Sequence, residues 1–445
     1  MENYEIFVLG GGPAGITLAK ILGKKKKMGI IRPEDHSMIY CAMPYAIEGL
    51  LPTEKVFKKD SLVTDAGADL IRGKAVKILF DEKVVVLENK DKYKYDKLII
   101  ATGADPVLPT IKGVNLKNVH VFKTQEDMEK IDKAIKEDKI KKAVVVGAGA
   151  IGVELAQALN LVNVETHLVD MAESILPNLV DVDFSEEVQE ELTRLGVHLH
   201  LTSSVCSANG TEIVESVILK NGTKISLGAS GIVIFSVGMR VNTDLFKNTS
   251  LEIGNQGIII NNKMETNIED VYAIGDCTQF VSGITGEPML GKLATNAVPM
   301  ARMLAKNLLG EERTYKGFYN GAATKVGKYF IGGTGISEAV AKDYFDIITG
   351  HAELTTAFPM MPNAKQVKMK LIADKETLKI IGGQVVSEVP VIDKVDIITM
   401  AIQADLTVND LTQFSYSAQP YQSFFPANNL VVACVENILM RLKDN

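Results

Sequence analysis

The chain has 445 residues, 46% hydrophobic, 23% charged and 6% aromatic, a composition that favours a folded protein over a disordered one. Forty-eight Lys and Arg against 55 Asp and Glu give a formal charge of −7, so no nucleic-acid partner is expected. No uncharged apolar run reaches the roughly 18 residues of a membrane span, and the N-terminus enters a strand pattern directly, which predicts a soluble, cytoplasmic protein of about three domains with no membrane partner. The four cysteines, Cys41, Cys206, Cys277 and Cys434, are scattered without a CxxC or Cys/His cluster, which predicts neither a disulfide framework nor a metal site.

The first element is a short buried strand over residues 4–9, running into a glycine turn and a helix over 16–22. Gly10 allows the tight turn, Gly12 lets the backbone approach a pyrophosphate and Gly15 permits close helix packing, with Pro13 and Ala14 between them. The basic block at residues 24–27 reads as a solvated helix-end loop. A second strand, 28–31, ends in Arg32, where an acid is usual in this pattern. Either Glu34 takes that role two positions on, or Arg32 meets an adenosine by stacking or a phosphate contact.

Cys41 follows, opening a segment that reads as a helix through Ile47 with Pro44 in its first turn. A thiol at a helix N-terminus is favoured as the thiolate, which suits nucleophilic sulfur chemistry. The strand at 95–100 then closes on Ala101, Thr102 and Gly103.

The strand–glycine–helix device returns at residues 143–159, with Gly147, Gly149, Ile151 and Gly152 in its turn. Glu154 lies in the helix start, and the strand 165–169 ends in Asp170, about 20 residues beyond the glycines, where an acid binds a ribose 2′-hydroxyl and repels a 2′-phosphate. NADH is therefore expected over NADPH. Further on, Gly238 opens the segment 238–242, residues 271–276 form a strand ending in Gly275 and Asp276, and Leu293, Ala294 and Thr295 open a helix.

The motifs GGGPAG, ATG, GAGAIG and YAIGD, in this order, resemble those of the pyridine nucleotide-disulfide oxidoreductases over nearly the whole chain. The resemblance implies an α/β fold of two dinucleotide-binding (Rossmann-like) domains, the NAD domain inserted in the FAD domain, plus a C-terminal α+β dimerisation domain. The boundaries expected are 1–120 and 241–315 for the FAD domain, 121–240 for the NAD(H) domain and 316–445 for dimerisation, with no further domain beyond Asn445.

The same resemblance places FAD on the first glycine turn, with the Ala101–Gly103 turn and Asp276 returning to it and the helix opened by Leu293, Ala294 and Thr295 under the flavin ring. It places Gly238 in a hinge where Val241 replaces the usual proline, and it matches Glu154 to a residue near the nicotinamide. An exposed, solvated acid at the helix start, next to the positive end of the helix dipole, is the other reading of Glu154.

Dithiol members of the family carry a second cysteine where this chain has Ala46. Cys41 then resembles the single-cysteine branch, which includes coenzyme A-disulfide reductases, persulfide or polysulfide reductases and NADH oxidases. That implies a homodimer passing electrons from NADH through FAD to Cys41, which reduces a small disulfide, persulfide or polysulfide, possibly linked to coenzyme A. An NADH oxidase and an electron carrier to a protein partner are the alternatives.

Oxidase and peroxidase members usually hold a His where this chain has Pro13, and none of the six histidines matches a catalytic position. In place of the His-Pro pair of dithiol members, Tyr416 and Tyr421 resemble tyrosines that reach the partner subunit's site, either as proton donors or as interface packing. Cys206, Cys277 and Cys434 read as buried, unreactive thiols.

Overall fold

The computed structural model describes residues 1–137, 139–289, 291 and 294–444. Strand Glu2–Leu9 pairs in parallel with Met28–Arg32 on one side and Lys92–Ile100 on the other, at the centre of a seven-stranded sheet that also takes in Val271–Ala273. Residues 6–9, 28–31 and 98–100 of these strands carry no charge and are buried because both faces are covered there: helix Pro13–Leu22 packs with helix Ala294–Asn307 on one face, and an apolar layer including Phe7, Leu98 and Phe246 fills the other.

The second strand–glycine–helix unit forms its own five-stranded parallel sheet, ordered Val119–Val121, Gly231–Phe235, Lys142–Val146, Glu165–Val169, His198–His200. Helices Ala150–Leu161 and Val182–Arg194 bury Val153, Leu155, Val188 and Leu192 in one core with Val145 and Leu168 of the sheet. The chain enters this unit through strand Ala104–Pro106 and leaves through Met239–Val241, and the two pair antiparallel as a two-stranded neck. Gly238 lies immediately before the returning strand, so the expected hinge is half of this neck.

The C-terminal part is a five-stranded antiparallel sheet, ordered Ala322–Val326, Tyr329–Gly335, Ile380–Ser387, Gln366–Asp374, Ile347–Thr355. Helices Ile392–Gln403 and Leu430–Lys443 cover it. The last helix carries the apolar run around Val431 and Val432. Its start is fixed by Asn429, whose Oδ1 accepts from the N–H groups of Val431 and Val432 at 2.9 and 3.3 Å. Among the described residues, no helix is long and apolar enough to cross a membrane.

Candidate functional site

The helix expected to begin at Cys41 begins two residues later. Pro44 has no N–H for the Tyr40 carbonyl, which takes the Met43 N–H instead, so Tyr40–Ala42 form a tight 3-10 turn ahead of the five-residue helix Met43–Ile47. Cys41 is left exposed on that turn. Its helix drives Met43, Ala46 and Ile47 into the core of the inserted unit, beside Val153 and Leu155, and the same core takes in Val326 and Ile331 of the C-terminal sheet. The cysteine thus sits where all three parts of the fold meet.

The first glycine turn is built as its sequence demands. Gly10 has φ +124°, and a Cβ there would lie 2.1 Å from the Ala101 carbonyl oxygen; at Gly15 it would lie 2.3 Å from the Gly10 oxygen. At Gly12, the N-cap of helix Pro13–Leu22, a Cβ would meet nothing within 4 Å, so that side of the turn is open for a phosphate to approach the helix start. Ala14 is buried behind it.

The Ala101–Thr102–Gly103 turn lies against Gly10, and Thr102 is tied to the neck: its Oγ1 donates to the Asn242 carbonyl at 2.8 Å, while Asn242 Nδ2 donates to the Thr102 carbonyl at 3.1 Å. Gly275, at φ +75°, would bring a Cβ to 3.3 Å from Ala297 Cβ, so the turn carrying Asp276 packs on the helix that starts with Ala294 and Thr295, both exposed. Leu293 lies outside the described residues.

Arg32 is 2% exposed and committed to the protein. Its guanidinium pairs with Asp60, donates to the Glu34 carbonyl at 3.0 Å and to the Asp35 carbonyl at 2.8 Å, and Arg72 joins the same group through Asp60 and the Asp35 carbonyl. Of the two readings at this strand end, the Glu34 side chain is the one left facing outward.

The second turn repeats the plan. Gly147 has φ +108° and backs onto Ser236, Gly152 packs against the Gly147 carbonyl, and a Cβ at Gly149 would meet nothing within 4 Å. Ile151 is exposed in the first helical turn. Asp170 accepts the Ala148 N–H at 2.5 Å and the Ala172 N–H at 2.8 Å, joining the strand end to the glycine turn. Glu154 accepts from Thr324 Oγ1 at 2.6 Å, and burial pushes its carboxyl up. It faces a neighbouring part of the fold and is not the freely solvated acid of the second reading.

Residues that no motif announced surround Cys41. Burial holds the half-buried Lys58 ammonium below the usual lysine range while Lys58 faces both Cys41 and Lys20. Burial also pushes the Tyr45 phenol up to about 12, with Glu154 and Cys41 among the charges it faces. Lys123, whose ammonium burial also holds down, stands 5.5 Å above the Tyr40 ring and 3.7 Å from Asp105, facing Asp276 and Glu34. Isolated lysines and tyrosines carry no spacing signal, and only the fold gathers them.

The other cysteines divide. Cys277 and Cys434 are buried, with both thiols pushed up by burial, but Cys206 is exposed on strand Val205–Asn209, which corrects the expectation that it is a core thiol. Tyr416 donates to the Pro426 carbonyl at 2.9 Å, and Tyr421 is 62% exposed on the same surface loop.

Two strand–glycine–helix units in one chain, with the turns open at Gly12 and Gly149, define a two-dinucleotide oxidoreductase fold, and both open turns fit a dinucleotide pyrophosphate. The sequence profile of the pyridine nucleotide-disulphide oxidoreductases matches residues 4–301, and that of their dimerisation domain matches residues 322–424. The chain belongs to this family and is an enzyme that uses FAD and NAD(P)H.

A Methanocaldococcus jannaschii protein named NADH oxidase is 32% identical over 431 residues, 93% of this chain and 94% of that one. A Pyrococcus abyssi protein named NAD(P)H sulfur oxidoreductase (CoA-dependent) is 29% identical over 425 residues, 93% and 94% of the two chains. The structure of a NAD-dependent persulfide reductase from A. fulgidus aligns with a TM-score of 0.93 at 27% identity, covering 100% of this chain and 84% of that one.

Proposed function

We propose that this chain passes electrons from NADH through FAD to Cys41, which reduces a small disulfide, persulfide or polysulfide. The observation that carries the reading is the place of Cys41: an exposed thiol, with Ala46 where a second sulfur would stand, on the turn ahead of the helix Met43–Ile47 that packs on helix Ala150–Leu161.

In this reading Gly10, Gly12, Pro13, Ala14 and Gly15 hold the FAD pyrophosphate, the Ala101–Gly103 turn and Gly275–Asp276 close over its middle, and Glu34 takes the adenosine ribose because Arg32 is spent on Asp60. Gly147, Gly149, Ile151 and Gly152 hold NADH, with Glu154 near the nicotinamide and Asp170 selecting against a 2′-phosphate. When bound, the flavin accepts a hydride from NADH and returns an electron pair to sulfur.

The Cys41 thiolate attacks one sulfur of the substrate, forming a Cys41–substrate disulfide and expelling the other sulfur as a thiolate or sulfide that takes up a proton. Two electrons and one proton would then cleave the mixed disulfide, restore the Cys41 thiolate and release a second thiol. Lys58 puts positive charge in the field of the sulfur, which suits an anionic substrate such as a coenzyme A-linked one. The active form is a homodimer in which Tyr416 or Tyr421 of one protomer supplies the proton at the other's Cys41.

NADH oxidation through Cys41 sulfenate is the second reading, supported by the name of the Methanocaldococcus relative. Pro13, which has no proton to give, weighs against it. Anaerobic NADH oxidation with coenzyme A disulfide, polysulfide and a persulfide, each offered separately, repeated with Cys41→Ser and compared with the rate in air alone, distinguishes the two. Sulfur-dependent turnover lost in the variant supports the reductase; turnover with oxygen alone supports the oxidase.

A further inference from the structure

Helix Ala150–Leu161 carries polar side chains one turn apart that meet the edge of the C-terminal sheet. Thr324, 6% exposed on strand Ala322–Val326, donates its single hydroxyl proton to Glu154 Oε1 at 2.6 Å. Three residues further along the helix, Gln157 Oε1 accepts the Gly327 N–H at 2.6 Å. The next residue of that hairpin turn, Lys328, donates its N–H to Glu191 Oε1 at 3.2 Å, and Arg194 holds the same carboxylate with two bonds of 2.8 Å.

The turn is fitted closely to this docking. Gly327 has φ +54°, and a Cβ there would come within 2.3 Å of Glu191 Oε1. The strand bearing Thr324 is therefore fixed against the helix that bears Glu154, 170 residues away in sequence.

We propose that Thr324 is a positioning residue for NADH: it pins one oxygen of the Glu154 carboxylate and turns the other toward the nicotinamide carboxamide, making the C-terminal sheet part of the pyridine-nucleotide site. The inference rests on the reading that puts Glu154 beside the nicotinamide.

The chemistry sets its sign. Burial disfavours the Glu154 carboxylate and the Thr324 hydroxyl favours it, so removing the hydroxyl carries the carboxyl further up and leaves less carboxylate at a given pH. Tyr45 faces Glu154 from helix Met43–Ile47, but its phenol, pushed up to about 12, stays neutral across the range that matters.

The test is anaerobic stopped-flow reduction of the bound FAD by NADH, from about pH 5.5 to 9, in purified holoenzyme without sulfur substrate or oxygen, so that the identity of the final acceptor plays no part. Thr324→Val, which keeps the shape and loses the hydroxyl, is expected to raise the apparent NADH Kd roughly tenfold near neutral pH and move the acid limb up by about one pH unit. Thr324→Ser restores both, and in a Glu154→Gln background Thr324→Val adds no further loss.

FAD content and Tm report folding, and Thr324→Ala serves in the same comparison if the valine variant does not fold. An unmoved limb and Kd in the hydroxyl-less variant beside an impaired Glu154→Gln overturns the inference alone. So do additive losses in the double variant, or a serine that fails to restore. A Glu154→Gln enzyme with the wild-type limb and Kd removes the nicotinamide reading and the inference with it.

Discussion

Lys370 Nζ lies 2.9 Å from Asp181 Oδ2, joining an interior strand of the C-terminal sheet to the N-cap of the inserted unit's helix Val182–Arg194. The lysine side chain is 0% exposed, and Asp183 at 2.7 Å and Glu338 at 2.9 Å complete its surroundings, with the Phe184 ring centre 5.2 Å away. Oxygens of the three acids lie within 4.8 Å of one another, a spacing that would suit a divalent cation, but the ammonium already stands among them.

Lys370→Met should therefore leave three close carboxylates with only Lys342 at Glu338 and the Gln384 amide at Asp181 beside them, and cost about 1 to 3 kcal/mol, less than a fully buried pair because Asp183 is half exposed. Urea unfolding measures it. The variant should also gain stability from added Ca²⁺ or Mn²⁺ that the wild type does not gain. A loss below about 1 kcal/mol together with no cation effect sinks the assignment of Lys370 as the clamp between these two parts.

The same cluster fixes a pH window. Burial works against the Lys370 ammonium, but the Asp183, Asp181 and Glu338 carboxylates hold its pKa above the ordinary 10.5; burial likewise works against the Glu338 carboxylate, but Lys370 holds it below 4.5. A raised lysine contributes fully below its unfolded value and loses that contribution as pH climbs through the folded one. A lowered carboxyl contributes fully above its unfolded value and loses that contribution as pH falls through the folded one. The Tm difference between wild type and Lys370→Met should stay level from about pH 5 to 10 and shrink on both sides. A difference that peaks at either extreme contradicts this.

What the sequence made legible follows the range of each constraint. Gly10 and Gly15 answer to atoms a few residues away or to one neighbouring strand, so the glycine turns can be read from a short window. The Cys41 segment was legible as a thiol ahead of a helix, but its start moved to Met43 because one missing N–H at Pro44 decides the turn. Lys370 with Asp183, and Thr324 with Glu154, are separated by 187 and 170 residues, and no local pattern distinguishes those residues from solvated ones. Cys206 depends on which strand face is open: strand Val205–Asn209 buries Val205 and Ala208 and leaves Cys206 exposed.

Asp170 tests the choice of nucleotide. Its carboxylate already accepts two backbone N–H groups, from Ala148 and Ala172, so alanine would loosen the turn as well as remove the charge. Asp170→Asn keeps the size and drops the charge. The ratio of kcat/KM for NADH over NADPH should fall by roughly tenfold or more, with a rise in the KM for NADH because one amide N–H cannot replace an acceptor. A ratio that does not move assigns the discrimination to another residue.

The tyrosine loop carries a prediction about which protomer supplies the proton. Tyr416 already has a task within its own chain, pinning the loop through the Pro426 carbonyl at 2.9 Å, whereas Tyr421 is 62% exposed. Tyr416→Phe should thus lower Tm slightly, at a cost of about 1 kcal/mol for one lost hydrogen bond, and Tyr421→Phe should leave Tm alone. If Tyr421 is the proton donor, Tyr421→Phe lowers sulfur-dependent kcat by about a hundredfold while NADH reduces the bound FAD at the normal rate. Heterodimers with Cys41→Ser in one protomer and Tyr421→Phe in the other then locate the donor. Delivery across the interface leaves one site with both Cys41 and Tyr421, and hence about half of wild-type activity, from two homodimers that are each impaired. Delivery within a protomer leaves no complete site, and the heterodimer stays as impaired as its parents.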